Sequence, residues 1–479
     1  MTINMLPNAA LLQIFDFYIQ GTSEWNRDWH KLVHVCRKWR SIVFRWPFRL
    51  NVQLHCTARK PVRQKLDIWP PLPIKLNVYG LENPGHCVDN VIAALERNNL
   101  VCEIEMGSLT SPKLEKILEA MQKPFPALTR LDLTSRDATA RLVQAPDSFL
   151  GGSAPRLRKL SLFSIPVPFP GLQKLLWSAI DLNDLKLSKI PHSVYFSPEA
   201  IVTCLSALPM LETLHLTFKS PRSRPDREIR LTPPPTRVLL PVLTRLTFKG
   251  VSEYLDDFVA RIDALLLDTL SITFFHQLVF NTPHLAQFIS RAPRLAPSPR
   301  THDEAHIDFE DHAVRFTLPL PSLTSPNAEI GLGVSCHDQD LQLSSVKQVC
   351  ASSLPSAFIP MVKHLRIEEY TEVRLRENDI QKSEWLGLLC RFTAAKNLYL
   401  TKELVPQIVP ALQELVKRRA VNSSVLPALQ CLFLEGLHTS GPVQQAIRPF
   451  MAAQGLTSHP IVVSYWDIEG DLYSEDYDY

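Results

Sequence analysis

From residue 126 to residue 434 the chain returns repeatedly to one pattern, Pro-x-Leu-x-x-Leu-x-Leu. It reads Pro126-Ala127-Leu128-Thr129-Arg130-Leu131-Asp132-Leu133, and again Pro155-Arg156-Leu157-Arg158-Lys159-Leu160-Ser161-Leu162. Later copies place Leu211, Leu214 and Leu216, then Leu243, Leu246 and Phe248, then Val362, Leu365 and Ile367, and finally Leu429, Leu432 and Leu434 in the same frame. Copies without the proline sit at Leu182, Leu185 and Leu187, at Leu267, Leu270 and Ile272, and at Ala395, Leu398 and Leu400. Most successive copies lie roughly 25 to 34 residues apart, a period that belongs to stacked repeat units. Leu-x-Leu alternation is the period of a strand with one apolar face. A strand that short cannot bury its face alone, so every copy requires a neighbour. Between the copies the residues predict return helices over Val88–Arg97, Pro112–Gln122, Pro198–Ala207, Tyr254–Leu266, Pro283–Arg291, Glu384–Thr393 and Val405–Arg419. Strands joined by helices predict parallel pairing with right-handed crossovers.

This spacing resembles that of leucine-rich repeats, on the long side. The resemblance implies an α/β array whose strands turn their leucines inward and their alternate residues outward. Asp132, Ser161, Lys186, His215, Lys249, Arg366, Tyr399 and Glu435 are those alternate positions, so they are candidates for a protein-reading surface; plain solvation is the competing reading. Between Leu270 and Leu365 the pattern fades, and Ala305–Phe309 and Glu329–Val334 are expected as two degenerate strands that keep the array continuous.

The first fifty residues obey different rules. Leu6-Pro7-Asn8-Ala9-Ala10-Leu11-Leu12-Gln13-Ile14-Phe15-Asp16-Phe17-Tyr18 places Pro or Asn at a helix start, with apolar residues at 11, 14, 15 and 18 predicted on one face. Trp29 to Val43 repeats apolar residues at three- and four-residue steps with basic residues between, a second helical stretch with a break near Cys36. A Leu-Pro start, a Leu-Leu-x-Ile-Phe helix and then Val35-Cys36-Arg37-Lys38-Trp39-Arg40 resemble the F-box, with a longer link between Gln20 and Asp28 than most F-boxes carry. The run from Pro61 to Ile74 resembles the segment that follows the F-box in large fungal F-box families.

The resemblance implies a three-helix module that docks on the Skp-type adaptor of cullin-RING (SCF) ubiquitin ligases. Leu6, Pro7, Leu11, Ile14, Phe15, Leu32, Val35, Cys36 and Trp39 are the candidate adaptor-binding residues, although such side chains also serve as internal core. The expected fold is therefore an N-terminal three-helix F-box (1–50), a linker or first cap (51–85), an irregular leucine-rich-repeat-like α/β solenoid (86–465) and an acidic tail (466–479). The expected role is the substrate-recognition subunit of an SCF-type ligase, without catalysis of its own; the alternative is an interaction scaffold that binds the adaptor without assembling a ligase.

Composition agrees with a packed, non-catalytic chain. Of 479 residues, 45% are hydrophobic and 21% charged, an ordinary globular mix. Gly numbers 15 against 39 Pro, which disfavours glycine-rich phosphate loops; no Gly-x-Ser-x-Gly elbow, Walker-type loop or dinucleotide fingerprint occurs. A formal net charge of +3 lacks the basic field of a nucleic-acid binder, so no nucleic-acid partner is expected. Nine cysteines scattered without a CxxC pair predict free thiols in a reducing compartment. The opening stretch lacks the plan of a signal peptide, and Asp268, His276 and Gln277 interrupt the longest apolar run. An intracellular protein, cytoplasmic or nuclear, with no membrane partner is the expectation.

Two clusters hold chemical residue types. His302, His306, Asp308, Glu310 and His312 alternate so that the last four share a strand face, but the spacing departs from His-Glu-x-x-His, and a solvated edge strand is expected in place of a metal site. Cys336-His337-Asp338 contains the residue types of a thiol catalytic set, yet adjacency splays side chains apart. Lys417-Arg418-Arg419 is expected to complement a helix C-terminus. Ser220–Arg227, running into Pro233-Pro234-Pro235, is expected as a surface loop. No catalytic residue, metal or cofactor is predicted, and the protein substrate is unspecified.

Overall fold

The computed structural model describes residues 6–20, 29–47, 49–50, 52–58, 62–78, 88–136, 144–225, 236–296, 303–320, 328–336, 338, 341–370, 379–419, 426–436, 441–454 and 461–466. The chain divides into two compact units, one comprising 1–196 with 207–211 and the other 197–206 with 212–479.

Unit 1 opens with helices α1 (Asn8–Gln20), α2 (Trp29–Val35) and α3 (Arg37–Arg45). The break between α2 and α3 falls at Cys36, whose backbone is extended (φ −159°, ψ 170°). The segment 51–85 already contains strands β1 (Leu54–Cys56) and β2 (Ile74–Val78), with α4 (Val62–Ile68) between them, so the sheet begins ahead of residue 86. It continues through α5 (Val88–Leu95), β3 (Val101–Leu109), α6 (Ser111–Ala120), β4 (Arg130–Ser135), β5 (Lys159–Phe163), α7 (Phe169–Ser178) and β6 (Asp184–Ile190). The six strands lie in chain order, each parallel to the next. Leu131 aligns with Leu160 and Leu160 with Leu185, so the motif leucines form one ladder, all buried. Helix α4 packs on α5 and α5 on α6.

Unit 2 begins with α8 (Pro198–Leu205), β7 (Thr213–Phe218), β8 (Val238–Leu239), β9 (Arg245–Gly250), α9 (Ser252–Val259), β10 (Ile262–Asp263), β11 (Thr269–Phe275) and α10 (Pro283–Arg291). The helix expected to run to Leu266 ends at Val259, because the next residues turn into β10 and pair with β8. The leucine ladder recurs as Leu214, Leu246 and Leu270.

The stretch where the motif fades departs from a parallel array. It holds three strands, β12 (Glu304–Glu310), β13 (Ala313–Pro319) and β14 (Glu329–Ser335), and β13 is antiparallel to both of its neighbours. The sheet order of this unit is β7-β9-β11-β14-β13-β12, followed by β15 (His364–Glu369). After β11 the chain thus lands three places away and walks back before continuing beside β12. Only Asp311 and His312 separate β12 from β13, a link that permits a hairpin, whereas a parallel crossover needs a dozen residues or more. Helix α11 (Gln342–Ser352) packs on β13 and β14 and leads to β15. Parallel order then resumes through α12 (Asp379–Leu389), β16 (Asn397–Leu400), α13 (Val405–Arg419), β17 (Cys431–Glu435), α14 (Pro442–Gln454) and β18 (Val462–Trp466), with Leu365, Leu398 and Leu432 aligned.

Almost every strand alternates buried with half-buried residues, which identifies one covered face and one open face in each unit. Among the described residues no helix is long and apolar enough to cross a membrane, and every cysteine is a free thiol.

Candidate protein-interaction surfaces

The three N-terminal helices sort the nine predicted adaptor-binding residues into two groups. Leu11, Phe15 and Leu32 are buried, and Phe15 packs its ring against half-buried Trp39 at 4.7 Å between centroids. Pro7, Ile14 and Val35 are exposed, while Leu6 and Cys36 are half-buried. The face predicted to unite residues 11, 14, 15 and 18 is therefore divided. Leu11, Leu12 and Phe15 turn inward, whereas Ile14 (45% exposed), Phe17 (84%) and Tyr18 (39%) turn out. Those three positions are one helical stripe at steps of three and four. Phe17 and Tyr18 had not been singled out as binding residues, although that periodicity makes them legible beside Ile14.

The module is held from several sides. The Lys38 ammonium donates to the Leu6 carbonyl at 2.9 Å, and the Arg40 Nε donates to the Val33 carbonyl at 2.9 Å. Trp69, from the segment after α4, sits edge-on to Trp29, His30 and Phe44 at 5.0 to 6.1 Å. The Pro61–Ile74 run thus contributes an aromatic wedge to the helices. Residues 21–28 of the long link lie outside the described residues.

The eight residues predicted for the reading surface all lie on open sheet faces, Lys186 exposed and the others half-buried. In unit 1, Asp132, Ser161 and Lys186 align in one row, which Glu105 and Asn77 extend. Around it Lys75 pairs with Glu103 at 2.7 Å, Arg130 with Glu105 at 3.0 Å and Lys186 with Asp184 at 3.2 Å. This face is a mosaic of opposite charges. A cleft of about 540 Å³ at the strand starts is lined by Arg156, Arg158, Glu103 and Asp181 among others, again with both signs.

In unit 2, His215 belongs to a row that continues through Thr247, Ser271, Gly331, Thr317, His306, Arg366, Tyr399 and Phe433. Lys249 and Glu435 lie outside it, aligned with Thr273 and Trp466 respectively.

Here the sheet carries its densest chemistry. Strand β12 is interior, flanked by β13 and β15, so the expectation of a solvated edge is corrected. His306, Asp308 and Glu310 do share the open face, while His312 sits in the hairpin turn and His302 lies outside the described residues. His306 Nε2 stands 3.4 Å from Glu304, and Arg366 Nε lies 2.8 Å from the same carboxylate. The His306 hydrogen bond, aided by Arg366, holds the Glu304 carboxyl below its usual range against the opposing effect of burial.

Asp308 is aligned with Glu368 on the next strand. Burial first, then the Glu368 charge, pushes the Asp308 carboxyl up to about 6 in spite of His306 and Arg315. Glu368 is 6% exposed and accepts a hydrogen bond from the Tyr370 hydroxyl; burial and that bond raise the phenol above its ordinary range. Arg315 is aligned with Asp308 on β13, and its guanidinium bonds Glu329 at 2.5 Å and the Ser271 hydroxyl at 3.4 Å. A Cβ at Gly331 would stand 2.8 Å from an Arg315 nitrogen, so this glycine leaves the room in which the guanidinium lies across the sheet.

Beside the carboxylates is an aromatic platform. Tyr399 and Phe433 stack at 4.5 Å with planes 8° apart, and Trp466 meets Tyr399 at 5.5 Å nearly edge-on. The Arg366 guanidinium lies 5.3 Å from the Tyr399 ring and 5.9 Å from that of Trp466, within cation–π reach. Asp308, Arg315, Glu368, Phe433 and Trp466 are members of this surface that sequence reasoning had not assigned to it. The alternation that selected Arg366 and Tyr399 also selects Asp308 and Phe433 once β12 is placed inside the sheet.

Burial raises the Cys336 thiol, which donates to the Asp338 carbonyl at 2.9 Å; His337 lies outside the described residues. Among the described residues no group of three or more His, Cys, Asp or Glu side chains is placed to hold a metal ion. The Lys417, Arg418 and Arg419 side chains, residues 226–235 of the proline-rich stretch and the tail beyond Trp466 lie outside the described residues.

No family model and no curated protein matches the chain. Among solved structures, the chain is similar to the leucine-rich-repeat-containing protein LegL7 of Legionella pneumophila, at 14% identity over 76% of this chain and 93% of that one, with a TM-score of 0.29.

Proposed function

We propose that this chain is a substrate-recognition subunit of an SCF-type ubiquitin ligase, holding a Skp-type adaptor through α1 to α3 and a protein substrate through an open sheet face. One observation carries the reading. In a module whose sequence resembles the F-box, Pro7, Ile14 and Val35 remain on the surface while Leu11, Phe15 and Leu32 form its interior. Exposed apolar side chains on so small a unit are the material from which an interface core is built. Phe17 and Tyr18 extend the same outward stripe and join the proposed interface. The ubiquitin-transfer chemistry belongs to the partners, and the chain itself contributes binding.

Affinity purification of the full chain from a cell extract tests this, with the adaptor and the cullin detected separately. The wild type is expected to capture both. Ile14→Asp with Val35→Asp is expected to lose both with no fall in melting temperature, since neither side chain is core. Adaptor without cullin would make the chain an interaction scaffold; equal capture by wild type and variant would remove α1 and α2 from the interface.

A further inference from the structure

We infer that the open face of unit 2 between β12 and β18 docks a basic peptide segment of the protein substrate, seating an arginine or lysine side chain between the Asp308 and Glu368 carboxylates and the Tyr399, Phe433 and Trp466 rings. This deepens the reading above and rests on it for the identity of the peptide as substrate, but not for the binding itself.

Charge complementarity selects the occupant. On this face Arg366 is engaged by Glu304 and Arg315 by Glu329. Asp308, Glu310, Glu368 and Glu435 share the face, and no lysine or arginine forms an ion pair with any of them among the described residues. The two innermost, Asp308 and Glu368, stand side by side in the parallel register. Like charges so placed are costly unless a cation joins them. The Asp308 carboxyl stays raised even though Arg315, aligned with it on β13, and His306 oppose the shift, and even though Tyr370 donates to Glu368. A polypeptide arginine bridges the two carboxylates bidentately and stacks on aromatic rings, as this chain's own Arg366 already does on Tyr399 and Trp466. An acidic segment or a nucleic-acid backbone would meet repulsion here.

The test uses the full chain and three fluorescein-labelled nine-residue peptides of glycine and alanine, bearing two arginines, two glutamines or two glutamates. Fluorescence anisotropy is expected to show the arginine peptide bound at least about tenfold more tightly than the glutamine peptide, and the glutamate peptide not bound. Asp308→Asn with Glu368→Gln keeps the side-chain shapes and is expected to abolish the preference. Glu435→Gln, at a half-buried position near the rim, is expected to reduce it severalfold, which covers the case of a double variant that misfolds. Glu115→Gln with Glu119→Gln, on helix α6 of unit 1, is expected to change nothing and so separates this site from general attraction. Equal affinity for the arginine and glutamine peptides, or an intact preference in the Asp308→Asn, Glu368→Gln chain, overturns the inference. Adaptor capture, assayed in parallel, reports on the ligase reading alone, so the two fail separately.

Discussion

Asp308 concentrates the residue-scale argument, because its burial beside Glu368 works against the folded state. Its carboxyl titrates near 6 in the folded chain and near 3.8 in the unfolded one. Between those values the folded protein holds the extra proton, so this group makes stability fall as pH rises from about 4 to about 6, with the full penalty present above. A tenfold difference in proton affinity between the two states is worth about 1.4 kcal/mol, and solvent screening of a half-buried carboxyl reduces the total to the order of 1 to 2 kcal/mol. Asp308→Asn is therefore expected to raise the urea-unfolding free energy at pH 7 by that amount and to leave it unchanged at pH 4. Glu304 acts in the opposite sense, its lowered carboxyl stabilising the fold above its unfolded value and losing that contribution as pH falls. The difference between variant and wild type at each pH isolates Asp308 from it. A variant that grows more stable while losing arginine-peptide preference marks a carboxylate kept for a ligand; a variant less stable at pH 7 marks one that serves the fold.

At the scale of elements, legibility followed the clarity of the period. The strands carrying Leu131, Leu160, Leu214, Leu398 and Leu432 stood in the residues, because alternation plus a buried preceding residue admits few alternatives. Strand β13 was missed although Val314, Phe316 and Leu318 alternate strictly, since it carries no leucine triplet and the repeat spacing leaves no slot for a strand between β12 and β14. The two-residue link at Asp311-His312 was the available sign of a hairpin. Helix α1 was legible as a helix but not in its sides, because an amphipathic reading assigns one apolar face and this helix has apolar residues turned both ways. The division has a measurable consequence. Leu11→Ala is expected to lower stability by about 2 to 5 kcal/mol through a buried cavity, whereas Ile14→Ala should cost well under half as much and act on adaptor capture. Phe316→Ala, in a β13 side chain fully buried and facing Phe392, is expected to cost about 3 to 5 kcal/mol. Equal costs for Leu11 and Ile14 in chemical denaturation would contradict the inward and outward assignment.

For the whole molecule the net charge of +3 is a poor guide to what it binds, since charge is distributed unevenly over its surfaces. The outward stripe of α1 offers Ile14, Phe17 and Tyr18, whose contribution to an interface comes from apolar area. The open face of unit 2 offers carboxylates and rings, whose attraction for a cation passes partly through solvent. Screening separates the two, because the Debye length contracts from about 10 Å at 0.1 M salt to about 3 Å at 1 M, while burial of apolar surface loses nothing to simple salts. One titration of the intact chain from 0.05 to 0.5 M sodium chloride is therefore expected to give two responses. Arginine-peptide affinity should fall several-fold, and capture of the adaptor should hold steady. If peptide affinity ignores salt, the aromatic platform rather than the Asp308–Glu368 pair governs that surface; if adaptor capture falls in step with it, charges and not the Ile14 stripe govern the other.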